Sequence, residues 1–156
     1  MKPVSAALAA CATVITLAAS AALAAGPMDG AIKARQGLMD NLAFNLGVLG
    51  GMAKGAMPYD QSAAQAAAGN IVTLTTLNEG AYWPKGSDNG AVEGTHALPA
   101  IWDKPDAFMG HMKDLHDAAV KMQEAAGTDL SAVQGAMKGV GGACGGCHKQ
   151  FRAPSN

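Results

Sequence analysis

The chain predicts an all-α fold, an antiparallel up-down-up-down four-helix bundle with a long loop between helices two and three. Three observations predict it. Apolar residues recur at spacings of three and four in four separate segments. Alanine and methionine are plentiful while aromatics make up only 4% of the chain, so good helix formers outnumber strand formers. One glycine- and proline-rich interruption, residues 79–103, stands between two pairs of periodic segments.

Helix one carries Ile32, Arg35, Met39, Leu42, Leu46 and Leu49 as one stripe with a single charged member. Pro27 and Asp29 lie near its start, and Gly50-Gly51 and Gly55 mark its end. Pro58-Tyr59-Asp60 makes a turn in which Asp60 is placed to cap helix two. That helix runs from about Gln61 to Leu77, with Ala64, Ala67 or Ala68, Ile71 and Leu74 inward; its alanines allow neighbours to come close. Residues 79–103 read as one crossover loop, a packed connector tacked to the bundle by Tyr82, Trp83, Leu98, Ile101 and Trp102. Asp103 is the expected N-cap of helix three, with Pro105 in its first turn. Phe108, Met112, Leu115, Ala119 and Met122 form its stripe, and Gly127 stops it. Thr128 or Asp129 caps helix four, which reads Leu130, Val133, Met137, Val140, Cys144, Cys147 and Phe151 without a break.

The N-terminus has the pattern of a secretory signal. Lys2 supplies a minimal positive start, an alanine-rich apolar run covers residues 4–23 with no acidic residue, and Ala22-Leu23-Ala24 fits small-x-small cleavage. Residues 1–24 are therefore expected to be removed, leaving residues 25–156 as a single domain in the periplasm with no stable membrane insertion. Cys11 goes with the signal. The formal charge of −1 becomes −2 without Lys2, and no basic stripe is present, which argues against nucleic acid.

The mature chain then keeps two cysteines, both in Cys144-Gly145-Gly146-Cys147-His148 near the C-terminus. C-x-x-C-H is the attachment pattern of a c-type haem: each sulfur adds to one vinyl group, the two-residue spacer matches the vinyl separation, and the adjacent histidine meets the iron. A dithiol couple would be expected after a strand in a βαβ unit, and zinc would need a fourth ligand that no second cysteine pair supplies. One covalently attached haem c per chain also accounts for the scarcity of aromatics, because the porphyrin fills part of the core. Gly139, Gly141, Gly142, Gly145 and Gly146 weaken the helix and are expected to give the porphyrin room against the backbone.

In such a bundle the end of helix four lies beside the starts of helices one and three. A sixth ligand must come from another helix at that height, and helices rise about 1.5 Å per residue. Met52, Met57 and Met122 fall at the wrong end, Met137 lies on the haem-bearing helix itself, and Met28 sits at a terminus. Met39 and Met112 remain, and geometry alone does not separate them. His111 could complete a bis-histidine set, although His96, His111 and His116 read as ordinary structural histidines. No Ser-His-Asp order, paired carboxylates or phosphate loop suggests an enzyme.

The chain resembles the class II c-type cytochromes, the cytochrome c′ family. The likeness runs through Arg35-Gln36-Gly37-Leu38-Met39, Pro58-Tyr59-Asp60, Ala97-Leu98-Pro99-Ala100-Ile101-Trp102 and His148-Lys149-Gln150-Phe151-Arg152, in addition to the C-terminal motif. The family's distal position falls four residues after an arginine, here Met39 after Arg35; an apolar residue there marks the five-coordinate c′ branch, and a methionine marks the low-spin c-556 branch. The resemblance therefore implies a monohaem carrier of single electrons, bound through Cys144 and Cys147, ligated by His148 and Met39, with Arg35 near a haem propionate and Arg152 beside the proximal histidine. It implies unidentified redox partner proteins and leaves a homodimer through helices one and two open. The alternative is a five-coordinate protein binding nitric oxide or carbon monoxide. A peroxidase would want a polar distal acid or base, which Met39 is not.

Overall fold

The computed structural model describes residue 26 and residues 28–154; the expected signal segment and Cys11 lie outside them. Four long helices, α1 (Asp29–Ala53), α2 (Gln61–Leu74), α4 (Pro105–Ala126) and α5 (Leu130–Phe151), form the bundle, and a single turn of helix, α3 (Ala100–Asp103), precedes α4. Each long helix packs on the next around the square, and α1 closes it against α5. Cross-links fix the antiparallel order. Gln134 reaches the Ala53 carbonyl, Gln61 reaches the Gly127 carbonyl, and Asn70 donates to Asn45. Among the described residues there is no strand, only an isolated antiparallel bridge between Ala97 and Arg152.

The helix ends follow local chemistry. Asp60 and Asp129 accept from the amides of Ala63 and Ala132 at 2.8 Å, as expected of N-caps. Gly55 at φ +74° ends α1, letting the Ala56 and Gly55 amides return to the carbonyls of Gly51 and Met52. Three expectations need correction. Helix two stops at Leu74 rather than Leu77, because the Thr75 hydroxyl turns back to the Ile71 and Val72 carbonyls and that of Thr76 to Thr73. Asp103 does not cap helix three; it closes α3, and Lys104, whose side chain has no acceptor, occupies the cap without a side-chain bond, with Pro105 in the first turn. Finally, residues 79–103 are not one plain loop: a 3₁₀ turn (Gly80–Tyr82) opens the stretch and α3 closes it.

Two apolar clusters result. The larger runs through the bundle from Leu38 and Leu42 to Met122, Ala126 and Val133. The smaller, built on Ala97, Ile101, Phe108 and Phe151 with Trp83 and Trp102, seals the crossover onto the end where α1 and α4 start and α5 finishes. Trp83 meets Phe108 edge-on at 4.8 Å, and Phe108 meets Phe151 at 5.5 Å.

Candidate functional site

At that end the stripes do not close. The side chains of α1 that are buried are Ile32, Arg35, Leu38, Leu42, Asn45, Leu49 and Met52, whereas Met39 and Leu46 are only half-buried. Both face space. A cavity of about 350 Å³ opens between α1, the crossover and the end of α5; Arg35, Met39, Trp83, Cys147, His148 and Arg152 are among its walls. A second, more apolar cavity of about 160 Å³ runs into the bundle past Met39, Leu46, Met112, Leu115, Cys144 and His148. Met39, Cys147 and His148 line both, so the two are one continuous region around these three residues.

The donor set fits a covalently held haem. Cys144 and Cys147 are both free thiols on successive turns of α5, and each borders the space. Burial pushes the Cys144 thiol up. Burial, with the neighbouring Cys144 and Glu79, pushes Cys147 up to about 11. Protonated thiols at neutral pH do not make an activated dithiol couple, which depends on a lowered thiol pKa. Burial, and secondarily the Arg152 charge, lowers the His148 imidazole below its ordinary range, favouring the neutral form that binds metals. Arg152 borders the same cavity and its amide donates to the His148 carbonyl at 3.2 Å.

Arg35 is 3% exposed, and its guanidinium is bonded within the protein. Its Nη1 donates to the Tyr82 carbonyl at 3.2 Å and to Ser87 Oγ at 2.7 Å; its Nη2 donates to the Ser87 carbonyl at 2.5 Å and to Thr95 Oγ1 at 2.8 Å. Trp83 covers the guanidinium 4.9 Å from the ring centre. All these partners are neutral, and among the described residues no carboxylate pairs with it. Arg35 and Arg152 both border the larger cavity, against one carboxylate, that of Asp40, so the wall suits an anionic substituent on whatever fills it. Burial alone lowers the Arg35 pKa. Sequence reasoning found Arg35 but not these partners, which lie 47 to 60 residues away in the crossover.

His111 and the glycines behave differently from the other sequence candidates. The His111 ring meets Phe151 edge-on at 5.9 Å and is hydrogen-bonded with Gln150 at 3.0 Å, on the α4 side of the smaller cavity. Gly146 admits this ring: a Cβ there would stand 3.4 Å from His111 Cε1. A Cβ at Gly141, Gly142 or Gly145 would meet nothing within 4 Å, and none of the five glycines expected to make room borders either cavity.

Comparison with known proteins agrees with this arrangement. The family model described as Cytochrome C′ matches residues 30–152. A cytochrome c-554 from Cereibacter sphaeroides is 50% identical over 121 residues, 78% of this chain and 91% of its own length. A cytochrome c-556 from Agrobacterium tumefaciens is 33% identical, over 79% of this chain and 97% of its own. The solved cytochrome c′ from Rhodobacter spheriodes superposes with a TM-score of 0.80 at 35% identity, covering 82% of this chain and 98% of that one.

Proposed function

The chain belongs to the cytochrome c′ family of monohaem c-type cytochromes with covalently attached haem c, and on that premise we propose that it carries single electrons with a low-spin iron held by His148 and Met39. The observation that carries this reading is the shared wall: among the described residues, Met39 is the one thioether lining both cavities together with His148. Met112, which the sequence leaves level with it, borders the smaller cavity alone. The haem supplies a one-electron iron couple when bound. Cys144 and Cys147 would tether it, neutral His148 would offer its imidazole to the iron, and Met39 would offer a soft sulfur that favours the reduced state and competes with a gas. Trp83, Phe108 and Phe151 give the region an apolar wall, and Arg35 would balance a propionate. We place the mature protein in the periplasm, exchanging electrons with partner proteins; among the described residues no helix is long and apolar enough to cross a membrane.

A five-coordinate gas binder is the second reading, supported by the likeness to a solved nitric oxide complex of a cytochrome c prime variant from Alcaligenes xylosoxidans, with a TM-score of 0.71 at 29% identity. One optical spectrum separates them. The ferric protein is expected to show a methionine–iron charge-transfer band, and Met39→Ala is expected to abolish it and convert the iron to high spin. A high-spin wild-type spectrum, or an unchanged Met39→Ala spectrum, rejects Met39 as ligand.

A further inference from the structure

The crossover is held to both walls of the site by hydrogen bonds that the redox role does not by itself require. On the α1 side, all four Nη hydrogens of Arg35 are used by residues 82–95, leaving Nε–H as the one uncommitted donor of the fork. Ser87 is fully buried, and its hydroxyl accepts from Arg35 while donating to the Pro84 carbonyl at 2.8 Å. Thr95 Oγ1 accepts from Arg35 and also from the Ala97 amide at 3.2 Å. On the α5 side, the Leu98 amide donates to the Phe151 carbonyl at 3.0 Å and the Ala153 amide to the His96 carbonyl at 2.8 Å. The residues bonded are specific: Arg35 stands one helical turn before Met39, and residues 151–153 follow His148 by one turn. The strap thus spans from the turn carrying one axial ligand candidate to the turn carrying the other.

We propose that Arg35, through Ser87 and Thr95, is a positioning residue that clasps the crossover across the mouth of the site and thereby holds Met39 on the iron. This rests on the His148/Met39 reading above. A methionine–iron bond would be weak enough to be exchanged for stronger-field ligands when the thioether can swing away; Ile32, Leu38 and Leu42 hold the inner face of α1 in the core, whereas Met39 on its cavity side is only half-buried and depends on what closes over the mouth. The fork makes the clasp rigid, because the planar guanidinium holds two oxygens on each Nη in fixed directions. Removing a hydroxyl from Thr95 leaves one buried Nη–H unpaired, which is a steep penalty for so small a change.

The test uses the haem-loaded protein and imidazole as the competing ligand. Thr95→Val keeps the shape of the side chain and removes the acceptor. It is expected to weaken the charge-transfer band and raise the apparent affinity of the ferric protein for imidazole about tenfold, the equivalent of one buried hydrogen bond. Thr95→Ser, which restores the hydroxyl, is expected to return both to wild-type behaviour. Met122→Ala, at the far end of the bundle, lowers overall stability but is expected to leave imidazole affinity unchanged, so general loosening is distinguished from loss of the clasp. If Thr95→Val matures poorly, Gln36→Ala removes the neighbouring tether to the Gly94 carbonyl and is expected to move affinity in the same direction by a smaller factor. A wild-type band with unaltered imidazole affinity in Thr95→Val, or in Gln36→Ala where that variant is used, overturns the clasp alone. A wild-type protein with no such band overturns the methionine reading, and the clasp with it.

Discussion

The two ends of the bundle are built from the same stripes and come out differently. Where α1 and α4 finish and α2 and α5 begin, Leu49, Met52, Met122 and Val133 are buried to 3% exposure or less, and Ala64, Ala67, Ala68 and Ala126 let the helices close on one another. At the opposite end the same periodicity delivers Met39, Leu46, Met112, Cys144 and Cys147, and all five stop half-buried around open space. Four of the seven aromatic residues gather here, Trp83 and Trp102 from the crossover and Phe108 and Phe151 from α4 and α5. Protein interiors are normally packed to crystal density. A stripe that meets that standard at one end and not at the other marks where a non-protein group completes the core.

The largest expected effect comes from withholding that group. Replacing both Cys144 and Cys147 by serine is expected to leave no haem on the chain after denaturing electrophoresis. Hydrogen exchange should then show amides of Phe108 and Phe151 losing protection while those of Leu49 and Val133 keep most of theirs. Equal loss at both ends would mean that the division between them is not an energetic one.

A side chain at the filled end should behave in the opposite way. Met122 has no exposed surface, and Met122→Ala is expected to cost about 2–5 kcal/mol in denaturant unfolding through the cavity it leaves. The absorption spectrum of the haem-loaded protein should stay as it was. A spectral change would show that packing at the filled end sets ligation at the open one.

This contrast also explains what could be read in advance. Four helices, the caps at Asp60 and Asp129 and the residues around the C-x-x-C-H motif follow from local patterns, because spacing of three and four and short-range side-chain bonds are written along the chain. The end of α2 was hidden because Leu77 continues the apolar spacing while the hydroxyls of Thr75 and Thr76, which stop the helix, look neutral in a periodic pattern. The stripe read from periodicity takes in Met39 and Leu46 and passes over Leu38, whereas Leu38 is buried and Met39 borders the cavities; spacing alone cannot say which side chain is packed. The partners of Arg35 were hidden for a different reason. They are ordinary serine, threonine and carbonyl oxygens brought from 47 to 60 residues away by a segment with no repeat of its own.

The smallest effect sharpens the comparison most directly, because it tests what the glycines of α5 are for. Gly141 is exposed in the middle of that helix, and an added methyl would meet nothing within 4 Å. Gly141→Ala should then gain about 0.5–1 kcal/mol from helix propensity and the stiffer unfolded chain, with no change in the spectrum. Gly146→Ala should gain less, since its methyl would press against His111 at 3.4 Å and disturb the contact of that ring with Phe151. Thermal unfolding of the two haem-loaded variants measures the difference. If Gly141→Ala instead takes up less haem, the glycine is spacing for the porphyrin, and the open end extends further along α5 than the cavities reach. If it stabilises, glycine on this helix matters only where α4 leans on it, and the space for the haem is made by the half-buried stripe of α1 and the strap above it.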